Sequence, residues 1–74
     1  MRTQYKFIEF IQEMDWWVCR NKVAKVRLGL VYWYHKWKTY IFEPETGSEF
    51  SPDCLDDISD FCKQANEERK AGKR

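Results

Sequence analysis

One histidine and three cysteines are all that this 74-residue chain offers to metal or thiol chemistry, and their placement suits neither. There is no Cys-x-x-Cys pair, and His35 has no cysteine, aspartate or glutamate near it in sequence. A four-ligand zinc site is therefore not expected, and His35 reads as a solvated turn residue rather than a base or ligand. The three glycines are scattered, which excludes a phosphate-cradling loop. No apolar run approaches the ~18 residues of a membrane span. Residues Met1 to Lys6 contain no apolar segment of the signal-peptide kind. These absences make a soluble, cytoplasmic protein the expectation, with no cofactor, no metal, no membrane partner, no small-molecule substrate and no enzymatic activity.

Aromatic residues, by contrast, are abundant. Four Trp, four Tyr and five Phe make up 18% of the chain. A chain this short buries only about 60% of its unfolded surface, so a dense aromatic core offsets the entropy of ordering it. The size allows one domain, residues 1–74, and the composition excludes low-complexity disorder.

The clearest element is a C-terminal helix over 52–69. Ser51 supplies an N-cap oxygen, Pro52 suits the first helical position, and Asp53, Asp56 and Asp57 lie near the positive end of the dipole. Cys54, Leu55, Ile58, Phe61, Cys62 and Ala65 follow a 3.6-residue period and form one apolar stripe. Phe50 is placed as a hydrophobic staple, Gly72 ends the helical tendency, and residues 71–74 are expected to fray. Cys54 and Cys62 are separated by about 12 Å of helical rise. A disulfide requires Cα atoms within roughly 7 Å, so the two cannot bridge. The cysteines are expected to be reduced packing residues.

Upstream, strand formers recur over 16–21, 27–34 and 37–43. The segment Tyr5 to Met14 suits either helix or strand and is read as a strand over 5–12. The fold expected is α+β: an antiparallel sheet of three or four strands, in β-β-β-β-α order, with the helix packed on one face. With Tyr34 opposite Trp37, the last two strands place Val31, Trp33, Tyr40 and Phe42 on one face, with Gly29 making room beside Phe42. Leu28, Leu30, Tyr32, Trp37 and Ile41 fall on the other. Both faces are apolar, and one helix covers only one.

The run Asn21-Lys22, Leu28-Gly29, Val31, Trp33-Tyr34, Trp37, Tyr40, Phe42, Pro44-Glu45, then Phe50, Cys54-Leu55, Ile58 and Phe61, resembles a group of short, uncharacterised phage and prophage proteins. The resemblance spans residues 17 to 62. It implies a phage origin and a compact strand-strand-strand-helix unit, which makes the host cell's cytoplasm the expected location, and it carries no functional residue with it. Residues Val23 to Val26 depart from the group, being basic and apolar where the group is Gly-rich and acidic.

Charge is segregated. Six bases and no acid lie between Trp16 and Phe42; seven acids and no base lie between Glu43 and Cys62. Three candidate surfaces follow. Leu28, Leu30, Tyr32, Trp37 and Ile41 form an apolar face for a host protein or a second copy of the chain. Arg20, Lys22, Lys25, Arg27, Lys36 and Lys38, interleaved with aromatics, form a patch for an anionic partner, nucleic acid included. Asp53, Asp56, Asp57 and Asp60 form an acidic helix face, though without the Gly-turn loop of a calcium site. Protein interaction is the leading expectation and nucleic-acid binding the alternative.

Overall fold

The computed structural model describes residues 1–72. It contains four strands and one helix: β1 (Ile8–Glu13), β2 (Trp16–Asn21), β3 (Arg27–Tyr34), β4 (Thr39–Pro44) and α1 (Pro52–Gly72). The strands form one antiparallel sheet in the order β1-β2-β3-β4, so every connection joins neighbours. This is the α+β fold, an antiparallel sheet followed by a C-terminal helix.

Each turn has its own chemistry. Met14 and Asp15 alone link β1 to β2, with Glu13 opposite Trp16. Between β2 and β3 the Asn21 carboxamide oxygen accepts from the N–H groups of Val23 and Ala24, at 2.9 and 2.8 Å. That is the local bonding by which asparagine organises a turn. Lys25 takes a left-handed conformation there, φ 61°. The β3–β4 turn uses four residues, His35 to Lys38, and Lys38 is also left-handed, φ 52°.

This turn corrects the hairpin. Tyr34 pairs with Thr39, not Trp37, so β4 begins two residues later than 37. A slide of two preserves the alternation, and Val31, Trp33, Tyr40 and Phe42 still share a face. Trp37 does not join the other face. It sits in the turn, 71% exposed, with its ring edge-on to Tyr34 at 5.1 Å.

A second correction concerns Leu28. The β2–β3 register shifts between Cys19 and Arg20, so Cys19 faces Gly29 while Arg20 faces Arg27. Leu28 is the additional residue of this bulge and packs against the core, not the opposite face.

The N-terminal segment is strand from Ile8, not from residue 5. Residues before it double back along the outer edge of β1: the Phe10 N–H donates to the Thr3 carbonyl at 2.9 Å, and Gln4 bridges Glu9. That edge is thereby covered, which blunts a site of unwanted strand pairing. At the opposite edge, the Asn66 side chain accepts from the Tyr40 N–H at 2.9 Å.

α1 is capped as its sequence implies, with the Ser51 hydroxyl accepting from the Cys54 N–H at 3.2 Å. The helix runs on through Ala71 and Gly72 rather than stopping at 69; the rest of the expected frayed tail, residues 73–74, lies outside the described residues. Its buried stripe is Ile58, Phe61 and Ala65, flanked by Cys54 and Cys62. Leu55 is not part of it, being 51% exposed. Phe50 instead packs its ring edge against Phe42 at 5.5 Å.

The core lies between α1 and one sheet face. Tyr5, Ile8, Phe10, Cys19, Val31, Ile58 and Phe61 form one buried cluster. Phe10 and Phe61 stack at 3.9 Å and 3°, and Trp17 meets Phe61 edge-on at 5.1 Å. Gly29 is required by close approach: a Cβ there would lie 2.5 Å from the Phe42 ring and 2.6 Å from the Glu43 carbonyl oxygen.

Candidate functional site

Side chains alternate along each strand, so the face away from α1 is fixed by the register. Ile11, Val18, Leu30 and Glu43 form one cross-strand row on it. The next row contains Glu13, Trp16, Tyr32 and Ile41. The aliphatic and aromatic members make a continuous apolar patch with Leu30 near its centre. Each is half-buried by its neighbours except Trp16, which is exposed. Within residues 1–72 no element packs over this face; the N-terminal segment lies instead beside the helix, the Arg2 N–H donating to Gln64 at 2.8 Å.

The rim of the patch is charged but internally matched. Glu9 is 5% exposed, and Arg20 and Lys25 both donate to its Oε2, at 2.6 and 3.1 Å. The Arg20 hydrogen bond first, and then that of Lys25, hold the Glu9 carboxyl below its usual range. Arg27 donates to Glu45 at 2.8 Å. The Tyr32 hydroxyl donates to Glu43 at 3.0 Å, which raises the Tyr32 pKa.

Of the five residues expected on this face, Leu30, Tyr32 and Ile41 occupy it, whereas Leu28 and Trp37 do not. Ile11, Trp16 and Val18 belong to it and were missed. Their signal was the alternation of β1 and β2, legible once those segments are paired.

The six bases expected to form one patch are divided between the two ends of the sheet. Arg20, Lys22, Lys25 and Arg27 surround the β2–β3 turn, and all four have partners within the chain; Lys22 donates to the Tyr5 carbonyl at 2.7 Å. Lys36 and Lys38 lie in the β3–β4 turn, roughly 25 Å away at ~3.3 Å per residue of β3. Among the described residues neither makes an ion pair. They are joined there by Arg69 and Lys70, which sequence order conceals: Trp33, Lys38, Asn66, Arg69 and Lys70 line one groove, and the Arg69 guanidinium lies 3.7 Å over the Trp33 ring.

The acidic helix face is also divided. Asp60 accepts from the Tyr5 hydroxyl at 2.8 Å and from Gln64 at 3.1 Å. Burial, with Asp60 next in importance, raises the Tyr5 pKa well above its ordinary value. Asp53, Asp56 and Asp57 lie beside Lys6 and Phe7. Among the described residues no cluster of His, Cys, Asp and Glu is arranged to hold a metal ion. All three cysteines are free; burial pushes the Cys19 thiol up to about 12 and the Cys62 thiol up to about 11, which makes both poor nucleophiles at neutral pH. His35 is exposed, edge-on to Trp33 at 6.5 Å.

The described helix is not long and apolar enough to cross a membrane. With fold and surfaces defined, the molecule is an α+β sheet-and-helix protein whose most developed surface is an apolar sheet face. It is similar to an uncharacterised 9.3 kDa protein of Acholeplasma phage L2, 36% identical over 50 residues. The match takes in 68% of this chain and 64% of that protein, so the chain spans just under two thirds of its relative's length. No family model matches the chain, and no solved structure matches it.

Proposed function

We propose that this is a non-catalytic protein of phage origin that acts in the host cytoplasm by protein–protein contact through the uncovered face of its sheet, and that the surface which covers it is a second copy of the chain. One observation carries the reading: α1 covers one apolar face, while Ile11, Val18, Leu30, Tyr32 and Ile41 form another with nothing from residues 1–72 upon it. The likeness to a phage protein supports the origin. The raised thiol pKa values of Cys19 and Cys62 support a non-catalytic role.

Charge argues for the occupant. Arg20, Lys25 and Arg27 are engaged by Glu9 and Glu45, and Glu13 and Glu43 stand in the same rows as the patch, so the face carries both signs rather than one. An apolar sheet face edged by charges of both signs is complemented by another such face, and a two-fold pair presents the same patch on both sides. Area sets the strength. Four strands and about six residues give a patch of roughly 400 Å² in projection. That is small beside the ~800 Å² per partner of a standard interface, so association is weak and concentration-dependent.

Sedimentation equilibrium from micromolar to millimolar concentration tests this. The wild-type chain is expected to pass from monomer to dimer across that range. Leu30→Glu, which buries a charge at the centre of the patch, is expected to remain monomeric, and Leu55→Gln on the exposed helix surface to behave as wild type. A wild-type chain that stays monomeric throughout removes self-association and leaves the face to a host protein.

A further inference from the structure

Both long turns of the sheet carry cations, yet only one leaves them unengaged. The β2–β3 turn ties its four to carboxylates and a carbonyl. The β3–β4 turn presents Lys36 and Lys38 on either side of Trp37, which is 71% exposed, and neither lysine has an ion-pair partner among the described residues. Trp37 makes one edge-on contact, with Tyr34 at 5.1 Å, and the rest of its ring is open to a partner.

The neighbouring groove adds to this pattern. Asn66 is held by two bonds, accepting from the Tyr40 N–H and donating to the Thr39 hydroxyl at 2.8 Å, which anchors the end of α1 against β4. That anchoring brings Arg69 over Trp33 and places Lys70 beside Lys38. A guanidinium stacked on an indole keeps its N–H edges free to meet an anion, and stacking fixes its plane beforehand. The groove's lining is Trp33, Lys38, Asn66, Arg69 and Lys70, with no carboxylate among them.

We infer that this end of the molecule binds single-stranded nucleic acid, with Trp37 stacking against a base and Lys36, Lys38, Arg69 and Lys70 meeting the phosphates. An exposed aromatic ring flanked by cations without ion-pair partners supplies the two components of such recognition, one for the base and one for the backbone. An acidic peptide would engage the cations and leave the Trp37 ring without a role. Trp37 rests against Tyr34, at the β3–β4 end of the uncovered sheet face and beyond the rows centred on Leu30, and the binding does not depend on self-association.

The test is fluorescence anisotropy of a labelled 20-nucleotide oligothymidylate at low salt, with the full chain and three variants. Trp37 and the lysines are exposed, so circular dichroism is expected to show unchanged folds. Trp37→Ala is expected to weaken binding roughly five- to a hundredfold, the value of one stacked base. The double variant Lys36→Gln, Lys38→Gln is expected to lower the slope of log affinity against log salt by about 1.4, two single-strand phosphates' worth. Arg27→Gln, at the far turn, is expected to bind as wild type. No binding at low salt overturns the inference. So does equal binding by Trp37→Ala, an equal loss in Arg27→Gln, or equal affinity for a labelled polyglutamate or for anionic phospholipid vesicles.

Discussion

The two faces of the sheet are both apolar, yet they are built differently. The covered face is aromatic and interlocked: Phe10 stacks on Phe61, Trp17 and Tyr5 meet those rings edge-on, and Gly29 lets Phe42 lie against the backbone. The uncovered face is mainly aliphatic, half-buried, and framed by ion pairs. Stacked rings of fixed geometry specify one partner, which here is α1. Aliphatic rows edged by charges of both signs accept a second apolar surface without demanding a particular one. Folding thus depends on the first face, and nothing from residues 1–72 packs on the second.

Substitution at Phe61 gives the largest contrast between the faces. Phe61→Ala removes the central ring and is expected to cost about 3–5 kcal/mol. A domain of this length has roughly 4–11 kcal/mol to lose, so the variant is expected to be at the edge of unfolding at 25 °C. Val18→Ala on the uncovered face is expected to cost about 1 kcal/mol, the value of the apolar groups removed. Urea denaturation of both measures the difference, and similar midpoints would erase the distinction between the faces.

Gly29→Ala probes the covered face by addition rather than removal. The new Cβ would meet backbone as well as ring, the Glu43 carbonyl oxygen at 2.6 Å, so β4 has to shift away from β3. The expected cost is about 3 kcal/mol, the upper end for an overpacked site. Thermal unfolding monitored by near-UV circular dichroism would register it through the aromatic cluster. A variant as stable as wild type would mean that the β3–β4 contact is looser than the covered face requires.

What was legible in the sequence was local. Ser51-Pro52 and the spacing of Ile58, Phe61 and Ala65 define the helix and its buried stripe, because cap and period lie within a few residues of each other. Alternation in β3 and β4 assigned Val31, Trp33, Tyr40 and Phe42 to one face, and Leu30, Tyr32 and Ile41 to the other. The turn length was not legible. It depends on Lys38 holding a left-handed conformation that glycine or asparagine usually marks, and Trp37 went to the wrong place as a result. Leu28 was misplaced because a bulge belongs to the pairing of two strands and leaves no trace in one. The charge pattern misled for a related reason. Six bases without an acid between Trp16 and Phe42 suggested one patch for an anionic partner, whereas Arg20 and Lys25 are matched by Glu9, from the strand before them.

Glu9 is where that match can be broken, with a smaller effect than in either core substitution. Its folded pKa is depressed below the ordinary value of 4.5, chiefly by the Arg20 hydrogen bond and then by that of Lys25. A group so depressed contributes stability above its unfolded pKa and loses that contribution as pH falls through the folded value. The wild-type chain should therefore lose stability as pH drops below about 4.5, and Glu9→Gln should show a shallower acid limb from a lower starting point at pH 7. Urea midpoints measured from pH 7 to pH 3 read both slopes; equal acid limbs would show that the carboxylate does not hold the rim. The same variant acts on association. Without Glu9 the positive charges of Arg20 and Lys25 are uncompensated on each copy, and two such rims repel. Glu9→Gln should then weaken dimers at neutral pH, and more so at low salt, whereas the wild-type dimer should weaken only once acid protonates Glu9. A dimer indifferent to both changes would place the contact away from this rim and return the uncovered face to a partner of another kind.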